Sequence, residues 1–397
     1  MTTLTVRRVE PETPRYSISG DLLSFLDCGL RYRYQHRGQL PPSRPVQFWA
    51  GLFVHGVVEE AFRYWRERDS RLPWPTETIE QLGRLVAARL VARGISFRGF
   101  DMLGLGMERA IVAVETWGPD LFALIDEAEI RLRGVRPMPP GARSLRGDRY
   151  EIDGVADVVA RRKGGGANAV LGLAGVGVTG AQPVDLIVDY KGTRRPGLGN
   201  PAWFRHEWQV ATYAWLRGQQ VSASGQRAAL LFYLNELVPG PDDMRRLRSE
   251  VNAGGGSDIL PYEHDLAVVR DWLRIEREWQ LRMAGWEERV KAWYVAGPNE
   301  IIAFPRMPYP EPMLSQSFRQ ARSVRTIRID DAAIARALDR FDEVVARIER
   351  SVTAEVSGKP LVAVWPTVAE RGQCARCDFR AHCPDPENPF RGAPTAP

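Results

Sequence analysis

The sequence predicts a mixed α/β fold: a mixed sheet flanked by helices, with a helical region before it and a cysteine-cluster segment after it. Three observations carry this. Apolar residues recur every three or four positions through the first third of the chain, the helical period. The period then drops to two in "EAEIRLRGV" and "DRYEIDGVADVVARR", the mark of half-buried strands. A strand, a helix and a strand follow, an order that suits a sheet covered by helices.

Residues 1–14 read as a loose tail. "SISGDLLSFLDCGLRYRYQ" reads as one Ser-capped helix leading to Cys28. In "VQFWAGLFVHGVVEEAFRYWRER" the residues Phe48, Leu52, His55, Val58, Phe62 and Trp65 fall on one helical face. "IEQLGRLVAARLVARG" and "GMERAIVAVETWGPDLFALI" continue the helical region, which spans 15–122 and contains Cys28 and His55. The core, 123–240, holds the two alternating strands, then "VDLIVDYKG", the helix "WFRHEWQVATYAWLRG" and the strand "RAALLFYLNEL". A Gly-rich stretch, "KGGGANAVLGLAGVGVTGAQP", separates the second strand from the third. Residues 241–352 form a second helical region, with one long helix over 264–295 and another from the Asp330/Asp331 cap to about 352. Residues 353–388 hold the cysteine cluster, and "PDPENPFRGAPTAP" reads as a Pro-rich disordered tail.

The chain has 397 residues, 44% of them apolar and 26% charged, which suits a globular protein with a substantial core. Its net charge of +5 fits a polyanionic partner without requiring one. "MTTLTVRRVEPETPRYS" lacks the apolar run of a signal peptide, and "AVLGLAGVGVTGA" is too short and Gly-rich to span a bilayer. The expectation is a cytoplasmic protein with no membrane partner. Core packing accounts for most of the twelve tryptophans.

Asp189 and Lys191 stand two apart on an apolar strand and so share a face. Asp157 lies on the preceding strand. If the two strands are neighbours, their carboxylates converge on one hard divalent cation such as Mg²⁺ or Mn²⁺. Lys191 is then placed to serve a water molecule or a phosphate. An isolated D-x-K is usually a plain ion pair, and a lone His55 on an apolar helix face is usually a core histidine. Gln209 and Tyr213, four apart, share a helix face.

The ordered set "GLFVHGVVE", "GVAD", "VDYKG" and "QVATY", after the opening "YSISGDLLSFLDCGLRYRY", resembles the RecB-type branch of the PD-(D/E)XK nucleases. The resemblance covers both ends and the middle of the chain, but not the helices at 264–352. It implies the restriction-endonuclease-like version of the fold and a metal-dependent deoxyribonuclease. By it, His55, Asp157 and Asp189 are metal ligands together with the Tyr190 carbonyl. Lys191 is the catalytic lysine, and Gln209 and Tyr213 position the lysine or the DNA. Glu129 takes a weaker, supporting place behind the ligands. The long Gly-rich connection departs from the family's tight one and leaves the strand pairing less certain.

Cys374, Cys377 and Cys383 form C-x₂-C-x₅-C, with Cys28 far upstream. Four thiolates suit Zn²⁺ or an iron–sulfur cluster, and spacing alone leans towards structural Zn²⁺. Zinc sites usually draw ligands in close pairs, however, and Cys28 has none nearby. The one-plus-three layout resembles the iron–sulfur subset of these nucleases, which includes CRISPR-adaptation and helicase-linked repair enzymes, and so implies a structural [4Fe–4S] cluster.

The expected partner is DNA, as single strands or duplex ends, and a helicase or other DNA-processing protein is a further one. Arg194, Arg195 and Arg205 suit phosphates and Trp203 and Phe204 suit bases, although solvated surface and core packing explain them equally well. Two other readings compete: a catalytically silent DNA-binding or scaffold subunit, and an iron–sulfur redox sensor. Repair, CRISPR adaptation and phage defence all fit.

Overall fold

A computed structural model describes residues 13–40, 47–68, 71–162, 168–173, 183–221, 226–254, 258–296, 300, 302–309, 313–368, 371–375, 377–385 and 387–388. The chain opens with β1 (Arg15–Tyr16) and two short helices, α1 (Leu23–Asp27) and α2 (Gly29–Tyr32). Three long helices follow: α3 (Gln47–Arg68), α4 (Thr76–Ala92) and α5 (Phe100–Leu121). The central section comprises β2 (Glu127–Pro137), β3 (Arg149–Arg162), α6 (Ala169–Leu173), β4 (Val184–Lys191), α7 (Pro201–Gln220) and β5 (Gln226–Tyr233). Then come α8 (Pro241–Asn252), α9 (Glu263–Arg270), α10 (Trp272–Met283), α11 (Trp286–Val295) and α12 (Gln316–Ser323). The last elements are β6 (Val324–Arg328), α13 (Asp331–Val356), α14 (Leu361–Val364) and α15 (Arg371–Ala375).

The sheet is open and mixed, in the order β1-β3-β4-β5-β6, with β2 also paired to β3. β2/β3, β3/β4 and β5/β6 are antiparallel, whereas β1/β3 and β4/β5 are parallel. A parallel pair needs a crossover connection, and α7 provides it between β4 and β5. Each face of the sheet buries its own apolar core. One lies under α3, α4, α5, α10 and α11, and the other under α7, α13 and residues 16–34. Nine of the twelve tryptophans are buried, so core packing does explain most of them. Among the described residues no helix is long and apolar enough to cross a membrane.

Several elements differ from the sequence expectation. The helix expected over 264–295 is three helices, broken at Asp271 and again at Gly285, whose φ of 77° turns the chain out of helical conformation. The helical region 241–352 also contains the strand β6. The helix expected to lead into Cys28 is interrupted there, because Cys28 is extended (φ −168°, ψ 109°) between α1 and α2. On α3 the buried face is Trp49, Phe53, Val54, Val57, Val58, Ala61 and Phe62, while Leu52 stands 42% exposed. The side chain of Phe48 lies outside the described residues, as do most of the Gly-rich stretch and most of the C-terminal tail.

Candidate metal centre and lysine site

The candidate site forms where β3 and β4 part. Their ladder ends at Val158↔Val188. One residue further on, the Asp157 carboxylate takes the place of a strand partner and accepts the backbone N–H of Tyr190 at 2.6 Å. Asp157 is thereby anchored with its other oxygen, Oδ1, towards α3, 3.8 Å from His55 Nε2.

A second distortion lies at Glu129, in the same place. Residues two apart on a strand should face the same side of a sheet. Yet Ala156 packs into the α7–α13 core and Val158 into the α3–α5 core. On the neighbouring strand Ile130 and Ala128 divide in the same way. Alternation therefore reverses on both strands between these pairs, at Glu129 and Asp157. Glu129 carries the turn, with φ 52°, a left-handed backbone that a glutamate seldom adopts. Its Oε1 stands 3.1 Å from His55 Nε2. One ligand atom each from His55, Glu129 and Asp157 lie within 4.8 Å of one another.

Lys191 and Asp189 occupy the α7 side of the gap. Lys191 Nζ is 2.6 Å from Asp189 Oδ2 and donates to Gln209 Oε1 at 2.7 Å. The Gln209 amide donates to Asp189 Oδ1 at 3.2 Å and to the Tyr213 hydroxyl at 3.0 Å. Tyr213 reaches this position because residue 154 is glycine: a Cβ there would stand 2.6 Å from Tyr213 Cε1. The glycine of "GVAD" is thus explained by close approach. Asp189 is 3% exposed, and the charge on its Oδ2 is met by the Lys191 ammonium.

Electrostatics agree with the geometry. Burial and the neighbouring Asp189 charge push the Asp157 carboxyl up to about 7. Burial works against charging His55, but its hydrogen bond to Glu129 and the charges of Asp157 and Glu129 outweigh it and raise the imidazole to about 9. Burial and then the Glu129 charge raise Glu59, one turn along α3. Carboxylates held this close resist full ionisation unless a cation joins them.

The expected residues His55, Asp157, Asp189, Tyr190, Lys191, Gln209 and Tyr213 therefore converge, with three adjustments. Asp189 meets the lysine and glutamine and lies outside the three-residue group. Tyr190 meets Asp157 through its N–H. Glu129, expected behind His55 and Asp157, stands beside them. The arginines expected for phosphates are engaged within the protein: Arg194 with Asp243 at 3.0 Å, and Arg205 with Asp27 at 2.7 Å. Arg195 is buried, bonding Asp258 at 2.9 Å and the carbonyls of Arg322 and Val324. Trp203 carries the Arg325 guanidinium 4.3 Å above its ring, and Phe204 is 47% exposed.

All four cysteines are free thiols and line one recess together with Arg31, Gln373, Arg380 and Asp385. Burial raises the Cys377 and Cys383 thiols, and the other cysteines add to it. Among the described residues no three thiols come within 4.8 Å of one another. One Zn²⁺ with four bonds of about 2.3 Å would hold them closer than that. A cubane holds them further apart, since each thiolate binds a different iron.

No family model matches this chain, and no curated protein does. A crystal structure of SSO0001 is a structural neighbour at 13% identity and TM-score 0.21. The overlap takes in 57% of this chain and 65% of that one, just under two thirds of its length, and a TM-score this low carries no argument about fold or function.

Proposed function

We propose that the protein is a divalent-metal-dependent deoxyribonuclease with a restriction-endonuclease-like core, acting on single strands or duplex ends. The observation that supports this most is the meeting of His55, Asp157, Asp189 and Lys191 where two strands separate. A nitrogen and carboxylate oxygens there suit Mg²⁺ or Mn²⁺. A bound ion would supply Lewis-acid polarisation of a phosphodiester. His55 and Asp157 would hold it, with Asp189 closing the set from the other strand. Lys191, held by Asp189 and Gln209, presents an ammonium to the charge that develops on the phosphate. Gln209 fixes both partners of that ion pair, and Tyr213 fixes Gln209, so the lysine is oriented before substrate arrives.

The same reading assigns the four cysteines to a [4Fe–4S] cluster, with structural Zn²⁺ as the alternative. The support is that all four thiols, from positions nearly 350 residues apart (28 to 374), line one recess. Its role would be to join α2 to the C-terminal segment.

The test is cleavage of single-stranded and duplex DNA labelled at either end, with Mg²⁺, Mn²⁺ or EDTA, comparing wild type with Lys191→Ala. Metal-dependent cleavage that the variant lacks supports the reading. DNA binding without cleavage by either protein replaces it with the scaffold reading.

A further inference from the structure

Glu129 lies on β2 between Ala128 and Ile130, which pair with Val158 and Ala156, so the register sets it opposite Asp157. Ile130 and Leu132 face the α7–α13 core, so Glu129 stands on the α3 side with the row of Arg131 and Arg133, whose side chains are 58% and 52% exposed. The chain enters left-handed conformation at Glu129, and alternation reverses on both strands. Ala128 and Val158 are thereby returned to the core beneath α3, while the Glu129 carboxylate stands 3.1 Å from His55 Nε2. A residue type that tolerates left-handed backbone well, glycine or asparagine, would suffice for the reversal. The contact with His55 needs a longer polar side chain.

We propose that Glu129 is a direct ligand of the cation held by His55 and Asp157. This rests on the metal-site reading above and extends it to a residue that the motifs do not single out. The donor set becomes one imidazole nitrogen and two carboxylates on one side of the gap, with buried Asp189, paired to Lys191, on the other. Oxygen-rich sets of this kind suit hard divalent ions. Glu129 contributes nothing to the Lys191 network, so loss of the ligand and loss of the lysine are separable.

A purely structural Glu129, present only to hydrogen-bond His55, predicts something different. Glutamine keeps the hydrogen bond but loses the charge. The experiment is Mn²⁺ binding to the full chain, followed by calorimetry and by the electron paramagnetic resonance signal of free Mn²⁺, for wild type, Glu129→Gln, Glu129→Gly and Asp157→Asn. The expected result is Mn²⁺ binding by wild type, weakened at least tenfold in Glu129→Gln and at least as much in Asp157→Asn. Glu129→Gly, which relieves the backbone, should melt no lower than wild type without metal and should lose the rise in Tm that Mn²⁺ gives wild type. If Glu129→Gln binds Mn²⁺ within twofold of wild type while Asp157→Asn does not, Glu129 is no ligand and the metal-site reading stands. If Glu129→Gln does not fold, the same comparison is made with Glu129→Gly, and retained binding there overturns the proposal. Wild type that binds no Mn²⁺ overturns both.

Discussion

Gly51 and Gly192 touch backbone to backbone, and this contact sets how close α3 can come to the end of β4. A Cβ added to Gly192 would stand 2.4 Å from the Gly51 Cα, whereas one added to Gly51 would find its nearest atom at 3.7 Å. His55 is one turn from Gly51, and Asp189 and Lys191 immediately precede Gly192, so the contact brings the two halves of the site together.

The two substitutions should therefore behave differently. Gly192→Ala forces backbone against backbone and should cost about 1–3 kcal/mol, the usual range for overpacking. It should also weaken Mn²⁺ binding by moving His55 away. Gly51→Ala should be neutral or stabilising by up to about 1 kcal/mol, because alanine suits a helix interior better than glycine. Urea unfolding and Mn²⁺ titration of both variants check the contrast. Equal effects would show that the contact does not set the spacing.

Asp157 has two tasks, and two variants separate them. Asp157→Asn keeps an acceptor for the Tyr190 N–H but loses the charge, so metal binding should fail while the apo protein keeps its stability. Asp157→Ala also leaves that N–H unpaired, which should cost about 1–3 kcal/mol more. Thermal melts in EDTA provide the comparison.

Stability without metal should fall as pH rises. Asp157 is raised from its ordinary 3.8 to about 7, and His55 from 6.5 to about 9. Each binds more protons folded than unfolded between those values, so each stabilises fully at low pH and loses that contribution through its own window. A cation competes for the same groups. Its affinity should therefore rise from about pH 5 and level off above about 9. Affinity independent of pH over this range would remove His55 and Asp157 from the ligand set.

Asp258 bonds Arg195 at 2.9 Å and Arg325 at 2.7 Å, and both guanidinium groups are buried. Asp258→Ala would strand two positive charges. The expected cost is about 2–4 kcal/mol, below the usual figure for a broken buried pair because Asp258 is itself partly exposed. Chemical denaturation reads it directly.

Most of the sheet and the lysine network were legible in the sequence because alternation and short spacings carry local information. "VDLIVDYKG" places Asp189 and Lys191 on one face, and "WQVATY" places Gln209 and Tyr213 on one helix face. β1 and β6 were missed because strands of two and five residues show little period. Glu129 was underrated for a different reason. In "EAEIRLRGV" it alternates with the exposed arginines, and nothing in that pattern reveals a strand that reverses its faces. Arg195 read as a phosphate contact because its partner, Asp258, lies 63 residues away.

The interlock between residues 13–40 and 331–366 has a consequence for the order in which the chain becomes folded while it is being made. Tyr16 bonds Glu349, Arg33 bonds Glu355 at 2.6 Å, and the Leu30 N–H donates to the Pro366 carbonyl at 3.3 Å. Phe25 and Tyr32 pack on Trp365. Translation delivers one side of every one of these pairs more than 300 residues before the other. β1 can join β3 early, but the core that holds Ile18, Leu22 and Phe25 is incomplete until α13 emerges. Closing so long a loop is slow, and the waiting apolar segment is the natural client of a chaperone. Truncation within α13 should therefore leave residues 13–40 protease-sensitive, even though nothing near them in sequence has changed.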